Sequence, residues 1–110
     1  TQITLDAILK SKPSKLYIAA DGPRRQKASD FDLVKQTRAI IDECVFSIPV
    51  VKLYQSENLG CGKAVSGAID WFLSQEEYGA IIEDDCVPSE DFFNYCSDLL
   101  QRYMHDERIM

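Results

Sequence analysis

The chain has 110 residues, of which 45% are hydrophobic and 27% charged, a composition typical of one globular domain spanning residues 1–110. Its net charge of -6 argues against nucleic acid or an anionic membrane surface as a general partner. The four cysteines lack C-x-x-C spacing and there is one histidine, so a zinc site is not indicated. With no signal peptide or membrane-length hydrophobic segment, we expect four free thiols in the cytoplasm.

The first half of the chain alternates helix and strand signals. Apolar residues at helical spacing in Thr1–Ser11 predict the end of a helix. The run Leu16–Ala20 predicts a strand that ends at the turn signal Asp21-Gly22-Pro23. After a polar, basic loop, Asp30 is predicted to cap a second helix. The apolar face of that helix is expected to comprise Phe31, Val34, Ile40, Ile41, Cys44 and Val45.

The second half continues the alternation. Val50–Tyr54 predicts a second strand, and the loop Ser56–Lys63, with two glycines, leads into a third helix. Ala80–Ile82 predicts a third strand, and Ser89 begins a last helix. The apolar faces of these helices are expected at Val65, Ala68, Ile69, Phe72 and Leu73, and at Phe92, Cys96, Leu99, Leu100 and Tyr103. The order α-β-α-β-α-β-α predicts an α/β fold with a mostly parallel sheet.

Three consecutive acids, Glu83, Asp84 and Asp85, follow the third predicted strand. Strand alternation would place Glu83 and Asp85 on one side and Asp84 on the other. Clustered carboxylates repel one another unless a cation lies among them, and oxygen ligands suit Mg²⁺ or Mn²⁺. The alternative is a solvated acidic turn next to a helix start.

The three predicted strands all end in polar residues, which a parallel sheet would bring to one edge. Backbone N–H groups after Gly60, with Lys63, would bind phosphate oxygens there. Lys63 is not part of a Walker A sequence, and the glycines Gly60 and Gly62 also fit a tight strand-to-helix turn. Asp21 either nucleates its turn or accepts a hydrogen bond from a nucleotide base, and the sequence leaves both open.

Three stretches, Leu16–Arg24, Asn58–Lys63 and Ile81–Pro88, together resemble the nucleotide-sugar-binding half of GT-A type glycosyltransferases. The likeness is to family-2-like bacterial enzymes and to the N-acetylglucosaminyltransferase I type, whose D-x-D equivalent is also Glu-Asp-Asp. It covers most of the chain from Leu16 onward. The resemblance implies a Rossmann-like three-layer α/β/α fold and metal-dependent transfer of a hexosyl or N-acetylhexosaminyl group from a nucleotide-diphospho-sugar, with UDP-sugars favoured.

The resemblance also implies roles for single residues. Asp85 would ligate a Mn²⁺ or Mg²⁺ ion that bridges the diphosphate, with Glu83 and Asp84 supporting the site and Asp84 near the ribose. Asp21 would bind the edge of the base. Along the nucleotide and the diphosphate would lie Asn58, Gly60 and Lys63. The acceptor, a glycan or another hydroxyl compound, is not identified.

The chain departs from the family pattern at both ends. Family members begin with a strand ahead of the first helix and continue into an acceptor-binding half that carries the catalytic base. We therefore expect residues 1–110 to be a fragment without a catalytic residue of its own, inactive alone and prone to self-association through open sheet edges. The alternatives are a non-catalytic nucleotide- or metal-binding α/β module, a phosphoacceptor signalling domain and a plain interaction module.

Overall fold

The computed structural model describes residues 1–109, which form two compact units. One unit joins Thr1–Lys12 to the chain from Glu76 onward, and the other is Pro13–Gln75. The elements in chain order are α1 (Gln2–Lys10), β1 (Leu16–Ala20), α2 (Ala28–Glu43), β2 (Val50–Tyr54), α3 (Cys61–Leu73) and α4 (Glu90–Tyr103).

The unit Pro13–Gln75 is a small α/β structure in which β1 and β2 form a two-stranded parallel sheet. Leu16 is opposite Val50, and Ala20 is opposite Tyr54. Both strands have the predicted bounds, and the predicted parallel pairing is confirmed. Parallel strands need a long crossover, which α2 supplies here, so the two strands end at the same edge.

Aromatic packing holds α3 against β1. The Tyr17 ring on β1 lies edge-on to Trp71 and Phe72 of α3, with ring centroids 5.4 and 5.0 Å apart. Each such pair contributes about 0.5–1.5 kcal/mol beyond the area it buries. On α2, Ile41 is buried, as predicted from its apolar spacing. The aromatic contacts of Tyr17 fix where α3 begins relative to the sheet.

The start and end of α2 differ from the prediction. The helix begins at Ala28, and Asp30 lies in its first turn instead of capping it. Arg24 Nη2 and Nε donate to the two carboxylate oxygens of Asp30, which holds the pKa of that carboxyl below its usual value. Because the carboxylate is bound by this arginine, it does not cap the helix. At the other end α2 stops at Glu43, so Val45 is exposed instead of extending the apolar face.

The other unit contains α1, α4 and the loop that precedes α4. Leu5 of α1 is buried, and Thr4 Oγ1 donates to the Asp84 carbonyl at 2.8 Å. Ser89 caps α4 as predicted, since its Oγ accepts from Phe92 N at 3.2 Å. Acidic residues in the first turn of α4 and a basic residue in its last turn suit the helix dipole.

The predicted third strand at Ala80–Ile82 is wrong. These residues take part in no sheet within residues 1–109, and Ile81 is exposed. A strand exists only through pairing with a neighbour, and within the described residues the sheet consists of β1 and β2 alone. An apolar run followed by acids therefore forms a loop here.

Candidate functional site

The carboxyl ends of β1 and β2 are joined by side-chain hydrogen bonds. Asp21 Oδ1 accepts from the backbone N–H groups of Gly22 at 2.8 Å and Leu59 at 2.9 Å. Asp21 Oδ2 accepts from Asn58 Nδ2 at 3.0 Å, and the same amide donates to the Gly22 carbonyl at 3.1 Å. We call residues 21, 22, 58 and 59 the Asp21–Asn58 clamp. The clamp brings together two of the predicted nucleotide-binding residues.

Glycine is required at position 22 by a close approach of two loops. A Cβ on Gly22 would lie 2.5 Å from the backbone N and C of Glu57, closer than any real Cβ contact. The backbone after β1 therefore lies directly against the backbone after β2. Sequence reasoning assigned Gly22 to a turn, but the neighbour that excludes a side chain is 35 residues away and gives no local signal.

The start of α3 follows immediately after the clamp. Its N-cap is Gly60, with φ 81° and ψ 153°, a conformation that L side chains rarely adopt, and no side chain caps the helix. The first N–H groups of a helix lack intrahelical acceptors and carry the positive end of its dipole. Lys63 lies exposed in this first turn, and a Cβ on Gly62 would meet open space. This helix start therefore favours an anion.

The three acids lie in a turn instead of at a strand end. Asp84 and Asp85 form the turn, which the bond from Cys86 N to the Glu83 carbonyl closes at 3.1 Å. The expected placement of Glu83 and Asp85 on one side of a strand is therefore wrong. All three acids are exposed, and Asp84 Oδ2 accepts a long hydrogen bond of 3.4 Å from Thr1 Oγ1.

The donor chemistry of the acids suits a hard divalent cation, but they do not form a finished site. Among the residues the structure describes, no group of three or more His, Cys, Asp or Glu side chains could hold a metal ion. The unit that carries the acids contains eleven Asp or Glu residues against four Lys or Arg. Its negative potential attracts cations to this loop. The predicted residues Asp21, Asn58, Gly60 and Lys63 belong to the other unit.

An open groove borders the acidic loop. It has a volume of about 490 Å³ and is lined mainly by apolar side chains, including Ile81, Ile82, Val87 and Phe92, with Glu83 and Cys86 also on its wall. Apolar walls around a few polar groups are the usual surroundings of a small-molecule site. The acids thus border a concave surface.

The acidic residues next to Cys86 affect the pKa of its thiol. Its Sγ lies 3.6 Å from Asp85 Oδ1, and this hydrogen bond, with burial and the acidic loop, raises the pKa of the thiol. A thiol with a raised pKa is a weaker nucleophile at neutral pH, because the thiolate is the reactive form. All four cysteines are free thiols in the structure.

Asp85→Asn should make Cys86 react faster with iodoacetamide at pH 8 in EDTA, since weakening the hydrogen bond from the thiol and removing the charge of Asp85 both lower the pKa of the thiol. Mass spectrometry of labelled peptides measures the rate. Cys61 is exposed and belongs to the other unit, so its rate in the same sample serves as the control. Equal Cys86 rates in both proteins would contradict the influence of Asp85.

Comparison with models of known protein families, with curated proteins and with solved structures finds no match. Within residues 1–109, no helix is long and apolar enough to cross a membrane.

Proposed function

We propose that the chain forms the nucleotide-sugar-binding part of a glycosyltransferase that transfers a sugar, with UDP-sugars as favoured donors, to an acceptor hydroxyl. The observation that carries this proposal is the Asp21–Asn58 clamp next to the start of α3, at the carboxyl ends of two parallel strands. In open α/β sheets, ligands bind at this edge. The whole protein would have the Rossmann-like three-layer fold of such enzymes, with β1 and β2 as part of its sheet.

The clamp supports a role for Asp21 at the nucleotide base. A carboxylate has about four lone-pair sites, and three of those on Asp21 accept from Gly22, Leu59 and Asn58. The remaining lone-pair site, on Oδ2, suits an N–H group of a nucleotide base. The bonds from the loop hold the carboxylate in one orientation, which reduces the ordering cost of binding.

The start of α3, directly after the clamp, supports phosphate binding. Uncapped N–H groups after Gly60 and the cation of Lys63 together favour the diphosphate. Asp85 is the proposed metal ligand, with Glu83 and Asp84 in support. Magnesium sites of this kind use one or two carboxylates together with substrate phosphates and water, so one carboxylate and a diphosphate are sufficient.

The chemistry of transfer explains why a cation and a positive helix end belong in such a site. Breaking the bond to the sugar leaves negative charge on the departing diphosphate, and a bound Mn²⁺ or Mg²⁺ would neutralise part of it. Residues 60–63 would hold a diphosphate by hydrogen bonds and charge. No residue of this chain is assigned as the base that takes the proton of the acceptor hydroxyl.

Isothermal titration of the intact chain with UDP and UDP-sugars, with and without Mn²⁺, tests this proposal. We expect Mn²⁺-dependent binding that weakens by at least about tenfold in Asp85→Ala, because the variant loses a charged metal ligand. Asp91→Ala is the matched control, since Asp91 is an exposed acid of the same unit in the first turn of α4. Equal binding by the wild type and Asp85→Ala, or binding by neither, would refute the site assignment.

A further inference from the structure

Arg38, in the middle of α2, bridges the two strand ends below the clamp. Its Nη2 donates to the backbone carbonyl of Asp21 at 3.1 Å and to that of Gln55 at 2.6 Å. Asp21 is the first residue after β1, and Gln55 is the first residue after β2. One guanidinium nitrogen therefore ties together the points at which both strands end.

The guanidinium is held by an aromatic ring and carbonyls, with no carboxylate in an ion pair with it among residues 1–109. Arg38 Cζ lies 4.7 Å from the centroid of the Tyr54 ring. Tyr54 is itself fixed, since its hydroxyl donates to Asp42 at 3.0 Å, and burial together with that bond raises the pKa of Tyr54 to about 12. The phenol is thus neutral at physiological pH, and its ring offers a stable face to the cation.

The Nε donor of this side chain shows how tightly the guanidinium is placed. Arg38 Nε is buried and makes no hydrogen bond within the described part of the chain. A buried donor without an acceptor is unfavourable. The orientation that bonds both carbonyls is therefore kept even though it leaves Nε without a partner. Lysine, a point charge on a flexible stem, does not reproduce a planar group that both bonds and stacks.

We infer that Arg38 is a positioning residue for the nucleotide-binding edge. Its hydrogen bonds go to backbone carbonyls and not to the Asp21 carboxylate or Asn58, yet it sets the separation of the two backbone segments that carry them. Through this separation it fixes where Asp21 Oδ1 meets the Leu59 N–H, next to the start of α3. The role of this edge as a nucleotide site rests on the proposed function, but the positioning of the clamp does not.

A second arginine joins the same two loops and provides a matched control. Arg25 Nη2 lies 2.7 Å from Glu57 Oε2, but the two side chains are 83% and 54% exposed. Exposed ion pairs contribute little because water and salt screen them. Arg25→Gln therefore removes a positive charge and a loop-to-loop contact while leaving the bridge from Arg38 in place.

Amide hydrogen exchange, measured by NMR on the intact chain, tests the positioning directly. In Arg38→Met we expect the Leu59 amide to exchange about tenfold faster, since its acceptor loses support and the loop opens more often. Arg25→Gln should leave that rate unchanged. Equal Leu59 rates in Arg38→Met and wild type, or an equal acceleration in Arg25→Gln, would overturn the inference.

A second variant keeps the test decisive if Arg38→Met does not fold. Arg38→Lys retains the charge and reaches one of the two carbonyls, so its Leu59 exchange rate should lie between those of wild type and Arg38→Met. If Arg38→Lys also fails to fold, Arg38 is needed for folding and the positioning role is overturned.

Titration of the same variants with UDP separates this inference from the proposed function. Arg38→Met should weaken UDP binding about tenfold through misplacement of the clamp, with the half-saturating Mn²⁺ concentration unchanged. If Arg38→Met binds UDP as tightly as the wild type, Arg38 does not position the nucleotide site. If the wild type binds no UDP, the proposed function fails, while the exchange rates still decide whether Arg38 positions the clamp.

Discussion

Gly22→Ala is expected to lower the free energy of unfolding by about 1–3 kcal/mol, the usual cost of forcing an extra carbon into a packed position. The new Cβ would lie 2.5 Å from backbone atoms of Glu57. Backbone atoms cannot rotate away as a side chain can, so the two loops must separate. Separation also lengthens the bond from Asn58 Nδ2 to the Gly22 carbonyl. Urea denaturation followed by circular dichroism measures the loss.

Gly62→Ala is the matched control for this prediction. A Cβ at position 62 meets nothing within 4 Å, and the residue lies in the first turn of α3. Alanine loses less conformational freedom than glycine in a helix, so this variant should be unchanged or more stable by up to about 0.5–1 kcal/mol. If Gly22→Ala is as stable as Gly62→Ala, the close approach to Glu57 is not a constraint on the fold.

The second large effect is expected from Asp21→Ala. This change removes the acceptor of two backbone N–H groups and of Asn58 Nδ2. We expect a loss of roughly 1–2 kcal/mol in the free energy of unfolding, in the lower part of the range for unsatisfied donors because the clamp is partly exposed to water. Urea denaturation detects this loss. Isothermal titration with UDP should show that nucleotide affinity falls as well.

Asp21→Asn separates the structural role of this residue from its charge. Asparagine keeps one oxygen, which continues to accept from Gly22 and Leu59, but it turns an amide N–H towards Asn58 Nδ2. Stability should therefore fall less than in Asp21→Ala, while a base N–H loses its acceptor. A stability loss as large as that of Asp21→Ala would show that the pairing with Asn58 dominates the clamp.

Local patterns were sufficient to predict several elements. Leu16–Ala20 and Val50–Tyr54 are short apolar runs between turn-forming residues, and both form strands with those bounds. Ser89 was predictable as a cap because the N–H group that donates to it and the following acids lie within one turn. The proximity of Asp21 and Asn58 follows from parallel pairing, which places both strand ends at one edge.

Interactions between distant parts of the chain were not predictable in the same way. Ala80–Ile82 has a strand-like composition, but a strand needs a partner, and composition does not supply one. Asp30 has the residue type of a helix cap, yet Arg24 binds its carboxylate. Arg38 lies seventeen residues from each of its carbonyl acceptors, a spacing that belongs to no recognised pattern.

The contact of Trp71 with Tyr17 provides an intrinsic optical probe. Trp71 is the single tryptophan of the chain, and its ring lies 5.4 Å from that of Tyr17 within residues 13–75. Light absorbed by the phenol can pass to the indole over so short a distance, so the emission spectrum depends on α3 remaining docked on β1. A fall in the indole emission excited through tyrosine would accompany the loss of this packing, without any attached dye.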